Sequence, residues 1–92
     1  MAHSLSAKKR IRQNIKRRAR NRWRLRAMRD AIKAFNTAVA SGDVSAASDA
    51  FRTASSVVDR TAQKGPIHRN QASRRKSRMS ARLKKLKDTS AS

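Results

Sequence analysis

Cations carry the only concentrated chemistry in this 92-residue sequence. Residues 1–29 hold twelve Lys or Arg and no acid, and residues 64–87 hold ten bases and again no acid. Residues 30–63 are nearly neutral, with four Asp (Asp30, Asp43, Asp49, Asp59) against three bases (Lys33, Arg52, Arg60). Sixteen of the twenty-five bases are Arg. An Arg fork grips phosphate at two points and stacks on bases, whereas Lys is a point charge, so the bias suits a fixed interface. A formal net charge of +20 opposes compaction through self-repulsion and favours a polyanion as partner.

Other chemistries are poorly supplied. The chain has no Cys and no Glu, and its two His, His3 and His68, lie far apart. Disulfides and thiolate metal sites are therefore excluded, and neither a metal centre, a cofactor site nor a carboxylate pair for acid–base catalysis is expected. The plentiful Ser have no paired base, and no phosphate loop occurs, so an enzyme is not expected. No apolar run approaches the roughly 20 residues that span a bilayer. The N-terminus lacks the apolar stretch of a secretory signal. The expectation is a cytoplasmic protein with no membrane partner.

The elements that must position these cations are helical. Both glycines fall where helices should end, in Ser41-Gly42-Asp43 and in Lys64-Gly65-Pro66. Glycine adopts the left-handed conformation that closes a helix, and a following Pro prevents continuation. Asp43 can cap the next helix. No alternating β pattern occurs. The spacing predicts a single all-α domain, a three-helix bundle, with helices over residues 6–40, 44–63 and 70–87 and a disordered tail over residues 88–92.

Leu25, Met28, Ile32, Phe35 and Val39 repeat at intervals of 3 and 4, the seam of a packed helix. Upstream the seam thins to Ile11, Ile15 and Ala19, with bases facing every direction. Helix two offers Ala47, Ala50, Phe51, Ala54, Val57 and Val58; helix three offers Ala72, Met79, Leu83 and Leu86. Helix one should be about 50 Å long against about 30 Å for its partners. Its basic half must then project some 20 Å beyond the bundle. Like charges four apart, as in 8/12, 12/16, 16/20, 18/22, 20/24 and 22/26, each cost the free helix about 0.2–0.5 kcal/mol. The projection is expected to fray alone and to be helical once a polyanion neutralises it.

The order of motifs resembles the bacterial small-subunit ribosomal proteins of the S-twenty family. The resemblance rests on Ser6-Ala7-Lys8-Lys9-Arg10-Ile11-Arg12-Gln13-Asn14, then Lys16-Arg17-Arg18 and Arg20-Asn21, then Gly42-Asp43 and Val58-Asp59-Arg60. Its most specific part is Lys64-Gly65-Pro66-Ile67-His68-Arg69-Asn70-Gln71-Ala72, continuing through Arg74, Lys76-Ser77-Arg78 and Leu83. It covers nearly the whole chain. It implies a structural component of the small subunit that binds directly to small-subunit ribosomal RNA, helps its assembly and sits among other subunit components, ribosome-bound in the cytoplasm. No obligate homo-oligomer is implied. By matching position the RNA contacts would be Lys8, Lys9, Arg10, Arg12, Gln13, Asn14, Arg17, Arg18 and Asn21, with His68, Arg69, Asn70, Arg74, Lys76, Ser77 and Arg78 in the second segment. The opening Met1-Ala2-His3-Ser4-Leu5, Trp23 and Pro66 depart from the family's pattern.

Individual residues also have plainer roles. Asn70 is expected to cap helix three, and with His68 it can also meet a phosphate or a 2′-hydroxyl. Gln13 and Asn14 read as solvated residues or as contacts to backbone and the shallow groove. Trp23 is expected to cover the end of the bundle, with stacking on an unpaired base as the alternative. The competing function is a nucleoid-type DNA-compacting basic protein, which normally has a dimer or a groove-reading helix.

Overall fold

Two backbone positions divide the chain as the sequence predicts. Gly42 (φ 77°) and Gly65 (φ 103°) both adopt the left-handed conformation, and each turns its N–H back onto the preceding helix, at 3.1 Å from the carbonyls of Val39 and Ala62. The computed structural model describes residues 5–91 and contains three helices: α1 (Leu5–Ser41), α2 (Val44–Lys64) and α3 (Arg69–Ala91). Asp43 follows Gly42 in an extended conformation, and its carboxylate accepts from the Ala46 N–H at 3.1 Å. Gly42 and Asp43 together reverse the chain, and α2 packs back along α1.

Charge explains the arrangement of the layers. α1 carries thirteen bases and one acid, α3 nine bases and one acid, but α2 only three bases and two acids. The nearly neutral α2 packs along both basic helices, which meet each other sparingly. This order lets all three helices bury their apolar stripes while keeping the two strongly positive surfaces apart. The Lys76–Asp59 ion pair, 2.8 Å long, joins α3 to α2.

The predicted seam forms the core. Met28 and Phe35 of α1 are buried against Ala47, Ala54 and Val58 of α2 and Ala72, Met79 and Leu83 of α3. Leu25, Ile32, Val39, Ala50, Val57 and Leu86 are partly buried around them. Phe51 is also only partly buried, and its ring lies 6.0 Å from that of Phe35 in a tilted pair. Two members were not foreseen. Ile67 plugs the core from the loop between α2 and α3, and Thr61 is buried with its hydroxyl donating to the Val57 carbonyl at 2.7 Å.

α1 outreaches its partners as expected. Its 37 residues correspond to about 55 Å of helix, and the molecule measures 68 × 21 × 15 Å. Residues 8–20 are exposed throughout, and burial by the bundle begins at Asn21. The exposed Ile11 and Ile15 confirm that the seam stops short of the arm. The arm is helical to Leu5.

Two expectations need correction. The tail predicted as disordered from Asp88 is helical through Ala91, while Ser92 lies outside the described residues. Nothing in residues 84–91 breaks a helix, Leu86 ties the segment to the core, and the Thr89 hydroxyl donates to the Lys85 carbonyl at 2.9 Å. Trp23 does not cover the bundle; it is 69% exposed. At about 100° per residue it lies about 140° around α1 from Met28, far from the seam. The unusual opening residues 1–4 lie outside the described residues.

Phe35→Ala should destabilise the protein by about 3–5 kcal/mol, enough to unfold much of so small a domain. Ile15→Ala should change stability by less than about 0.5 kcal/mol. Chemical denaturation compares them, and an unchanged midpoint for Phe35→Ala would place that ring outside the core. Amides of residues 8–20 should exchange hydrogen quickly in the free protein and those of residues 32–39 slowly, because protection follows buried apolar contact. Slow exchange along the whole arm would mean that like-charge repulsion does not weaken it.

Candidate nucleic-acid interface

The arm owes its chemistry to what it lacks. Residues 8–20 have no packing partner in the bundle, so their side chains are all available to an external one. Lys8, Lys9, Arg10, Arg12, Gln13, Asn14, Arg17 and Arg18 are all exposed, and Asn21 is half-buried where the arm meets the bundle. Consecutive bases such as Lys8, Lys9 and Arg10 step about 100° around the helix, so the arm presents charge on every side. A rod of this kind suits a crevice walled by phosphates better than a single flat surface.

The second predicted segment begins with a cap the sequence did not assign correctly. α3 starts at Arg69, and the residue before it, His68, is the N-cap. Its Nδ1 accepts from the Asn70 N–H at 3.1 Å, and its carbonyl accepts from the N–H groups of Gln71 (2.9 Å) and Ala72 (3.2 Å). Asn70 is therefore the donor in the capping bond rather than the cap. The expectation of Asn70 as cap followed the general preference for Asn at such positions, but here the imidazole fills the same role. The exposed side chain stands beside a helix N-terminus whose free backbone N–H groups are donors and whose first turn holds no acid. That combination of partial positive charge and donors attracts anions.

Arg69, Asn70, Arg74, Ser77 and Arg78 are exposed along the first turns of α3. Lys76 differs from the rest. It is half-buried and paired with Asp59, so part of its charge serves the α2–α3 contact. The base of the arm lies beside the end of α2, shortly before the second predicted segment begins. Arg17, Arg20, Asn21 and Arg24 of α1 share a groove with Lys64 and Gly65, just before α3 begins. Of these, Arg20, Arg24 and Lys64 were not among the predicted contacts. Their signal was present in the 17, 20/21, 24 spacing, which continues the seam into charge, but the position of α2's end was needed to complete it.

Farther along, Arg75, Arg78 and Arg82 line a groove with Ile32 and Asn36, where Arg82 donates to the Asn36 side-chain oxygen. Among the described residues no cluster of His, Cys, Asp or Glu could hold a metal, and no helix is long and apolar enough to cross a membrane.

Comparison with known proteins agrees with this geometry. Residues 2–84 match the family described as Ribosomal protein S20. The chain is 46% identical to the small ribosomal subunit protein bS20 of Nitrosomonas eutropha over 94% of its own length and 99% of that protein's. It is 50% identical to the bS20 of Gluconobacter oxydans, covering 94% and 97% respectively. It is 49% identical to that of Nitrosomonas europaea, covering 94% and 99%. Coverage of this extent on both sides means that the likeness is to whole proteins, including both basic segments.

His68→Ala should remove the acceptor for the Asn70 N–H and cost about 0.5–2 kcal/mol of stability, whereas His68→Asn should retain most of it. Denaturation midpoints separate the two. Equal midpoints for His68→Ala and the parent would show that the imidazole bond contributes nothing to the cap.

Proposed function

The chain belongs to the ribosomal protein S20 family, and from that membership we propose that it binds small-subunit ribosomal RNA directly and helps the small subunit assemble. The observation that carries this reading is the arm: residues 5–20 hold eight bases and no acid on a helix that extends past its own bundle. The contacts are Lys8, Lys9, Arg10, Arg12, Gln13, Asn14, Arg17, Arg18 and Asn21, joined at the same end by His68, Arg69 and Asn70 and continued along α3 by Arg74, Lys76, Ser77 and Arg78. The arm enters between RNA elements, which neutralise its repulsion, and the start of α3 grips phosphate beside it. The small-subunit names of the relatives support the same partner. The protein's place is then on the ribosome in the cytoplasm, among other subunit components. Its role is structural, not enzymatic.

Assembly follows from the same physics. A charged helix that gains stability only against phosphates brings separate RNA segments together and holds them at fixed spacing. A DNA-compacting role shares the electrostatics but predicts no preference for ribosomal RNA.

Filter-binding titration against small-subunit ribosomal RNA should give a slope of log K against log salt of roughly −0.7 to −0.9 per neutralised phosphate. With about 6–10 such contacts, affinity should fall by about 10³–10⁵ between 50 and 200 mM salt. Replacing Arg10, Arg12, Arg17 and Arg18 together by Ala should flatten that slope by about 3–4 units. A flat salt dependence in the parent protein would overturn the electrostatic account. Equal affinity for random duplex DNA would favour the DNA-compacting role.

A further inference from the structure

Trp23 is the sole tryptophan, and it stands on the surface, whereas Phe35 is buried and pairs with the partly buried Phe51. It borders an open groove between α1 and α2 with a volume of ≈ 220 Å³. Ala27, Val57 and Thr61 line the groove beside the indole, and Arg24, Arg60 and Lys64 add three cations. The volume lies below the roughly 300–1,000 Å³ of sites that enclose a drug-sized molecule. The space suits a single planar ring set against another flat surface.

The adjoining groove completes the picture. Arg24 and Lys64 also line the basic groove that contains Arg17, Arg20 and Asn21. An apolar slot with an exposed aromatic thus opens directly onto a slot with four cations. The nearby acid, Asp59, is paired with Lys76 on the α3 side. On α1, the face that carries Trp23 meets an acid at Asp30, about two turns farther on. An apolar wall and a cationic wall sharing two residues match one ligand class: a nucleotide, with its base in one slot and its phosphates in the other.

We infer that Trp23 is the stacking platform for an unpaired nucleotide of the bound RNA, whose flanking phosphates lie against Arg17, Arg20, Arg24 and Lys64. This rests on the RNA-binding function proposed above and adds a defined base site to it. Stacking on an aromatic ring is tolerant of base identity, so the site selects an unpaired nucleotide at a given place in the RNA rather than a sequence. It gives a largely electrostatic interface one contact that salt does not screen.

The single indole is its own reporter. Titration with a small-subunit ribosomal RNA transcript should quench Trp23 emission and shield it from acrylamide, whereas inorganic polyphosphate, which offers phosphates without bases, should bind but leave the indole accessible. Trp23→Ala should weaken RNA binding about 5- to 100-fold with an unchanged salt slope. Trp23→Phe should recover most of the loss. Because the side chain is 69% exposed, the thermal midpoint of Trp23→Ala should match the parent's, which separates a lost contact from a lost fold. RNA binding by Trp23→Ala within twofold of the parent would overturn the inference, as would a bound complex in which Trp23 remains open to acrylamide. Shielding that arises only in the assembled subunit, and not with RNA alone, would assign the groove to a protein neighbour and also overturn it. Failure of the parent protein to bind the transcript at all would instead remove the RNA-binding function itself, and the nucleotide site with it.

Discussion

The structure depends on keeping two like-charged helices apart while burying the apolar stripes of both. α1 and α3 carry nearly all of the positive charge, and each has a stripe that must leave water. Packing them directly would bring dense positive surfaces together along their length. Interposing a nearly neutral helix resolves the conflict. This explains why α2 is poor in bases, why it is rich in Ala and Val, and why its Asp59 reaches Lys76 of α3. It also sets the size of the core. Where α2 ends at Lys64, the shielding ends too, and α1 continues with nothing but charge around it.

Much of this was legible in the sequence. Gly42 and Gly65 marked the helix ends because only a left-handed residue closes a helix in this way. The 3–4 spacing from Leu25 to Val39 placed the bundle on the second half of α1, and simple helix lengths then required an arm. These signals are local or periodic, and each has one physical reading. The parts that were missed depend on long-range geometry or on one residue's chemistry. Trp23 lies only two residues from Leu25, yet that step turns it about 200° around the helix. Ile67 sits in a loop, where periodicity gives no information about burial. His68 displaced Asn70 as cap because an imidazole nitrogen can accept as a carboxamide does, a substitution that composition does not reveal. The tail's helicity follows from the anchoring of Leu86.

The candidate interface reads in the sequence as two separate basic segments. The sequence separates Asn21 and His68 by more than forty positions, and the fold brings the arm's base to the groove at Lys64 and Gly65. This groove sets the base of the arm beside Lys64, the first cation of the second basic run. The fold also sorts the cations. Those of the arm are exposed, whereas Lys76 and Arg82 make contacts between helices. Charge counting alone treats these groups as equal.

The unbroken passage of α1 from bundle to arm has a kinetic meaning. A helix formed from free chain must first close a costly initial turn, with a nucleation factor of about 10⁻³. Here that turn already exists, held by Met28 and Phe35 in the core. Where like-charge repulsion frays the free arm, re-forming it requires only elongation from Arg20 toward Leu5, the extent of helix that the structure shows. Each phosphate that settles on the growing end removes a repulsion and favours the next step. Capture becomes directional, a zipper whose closed end is the bundle and whose open end searches. A polyanion bound near the junction would be gripped first, and the far end of the arm last.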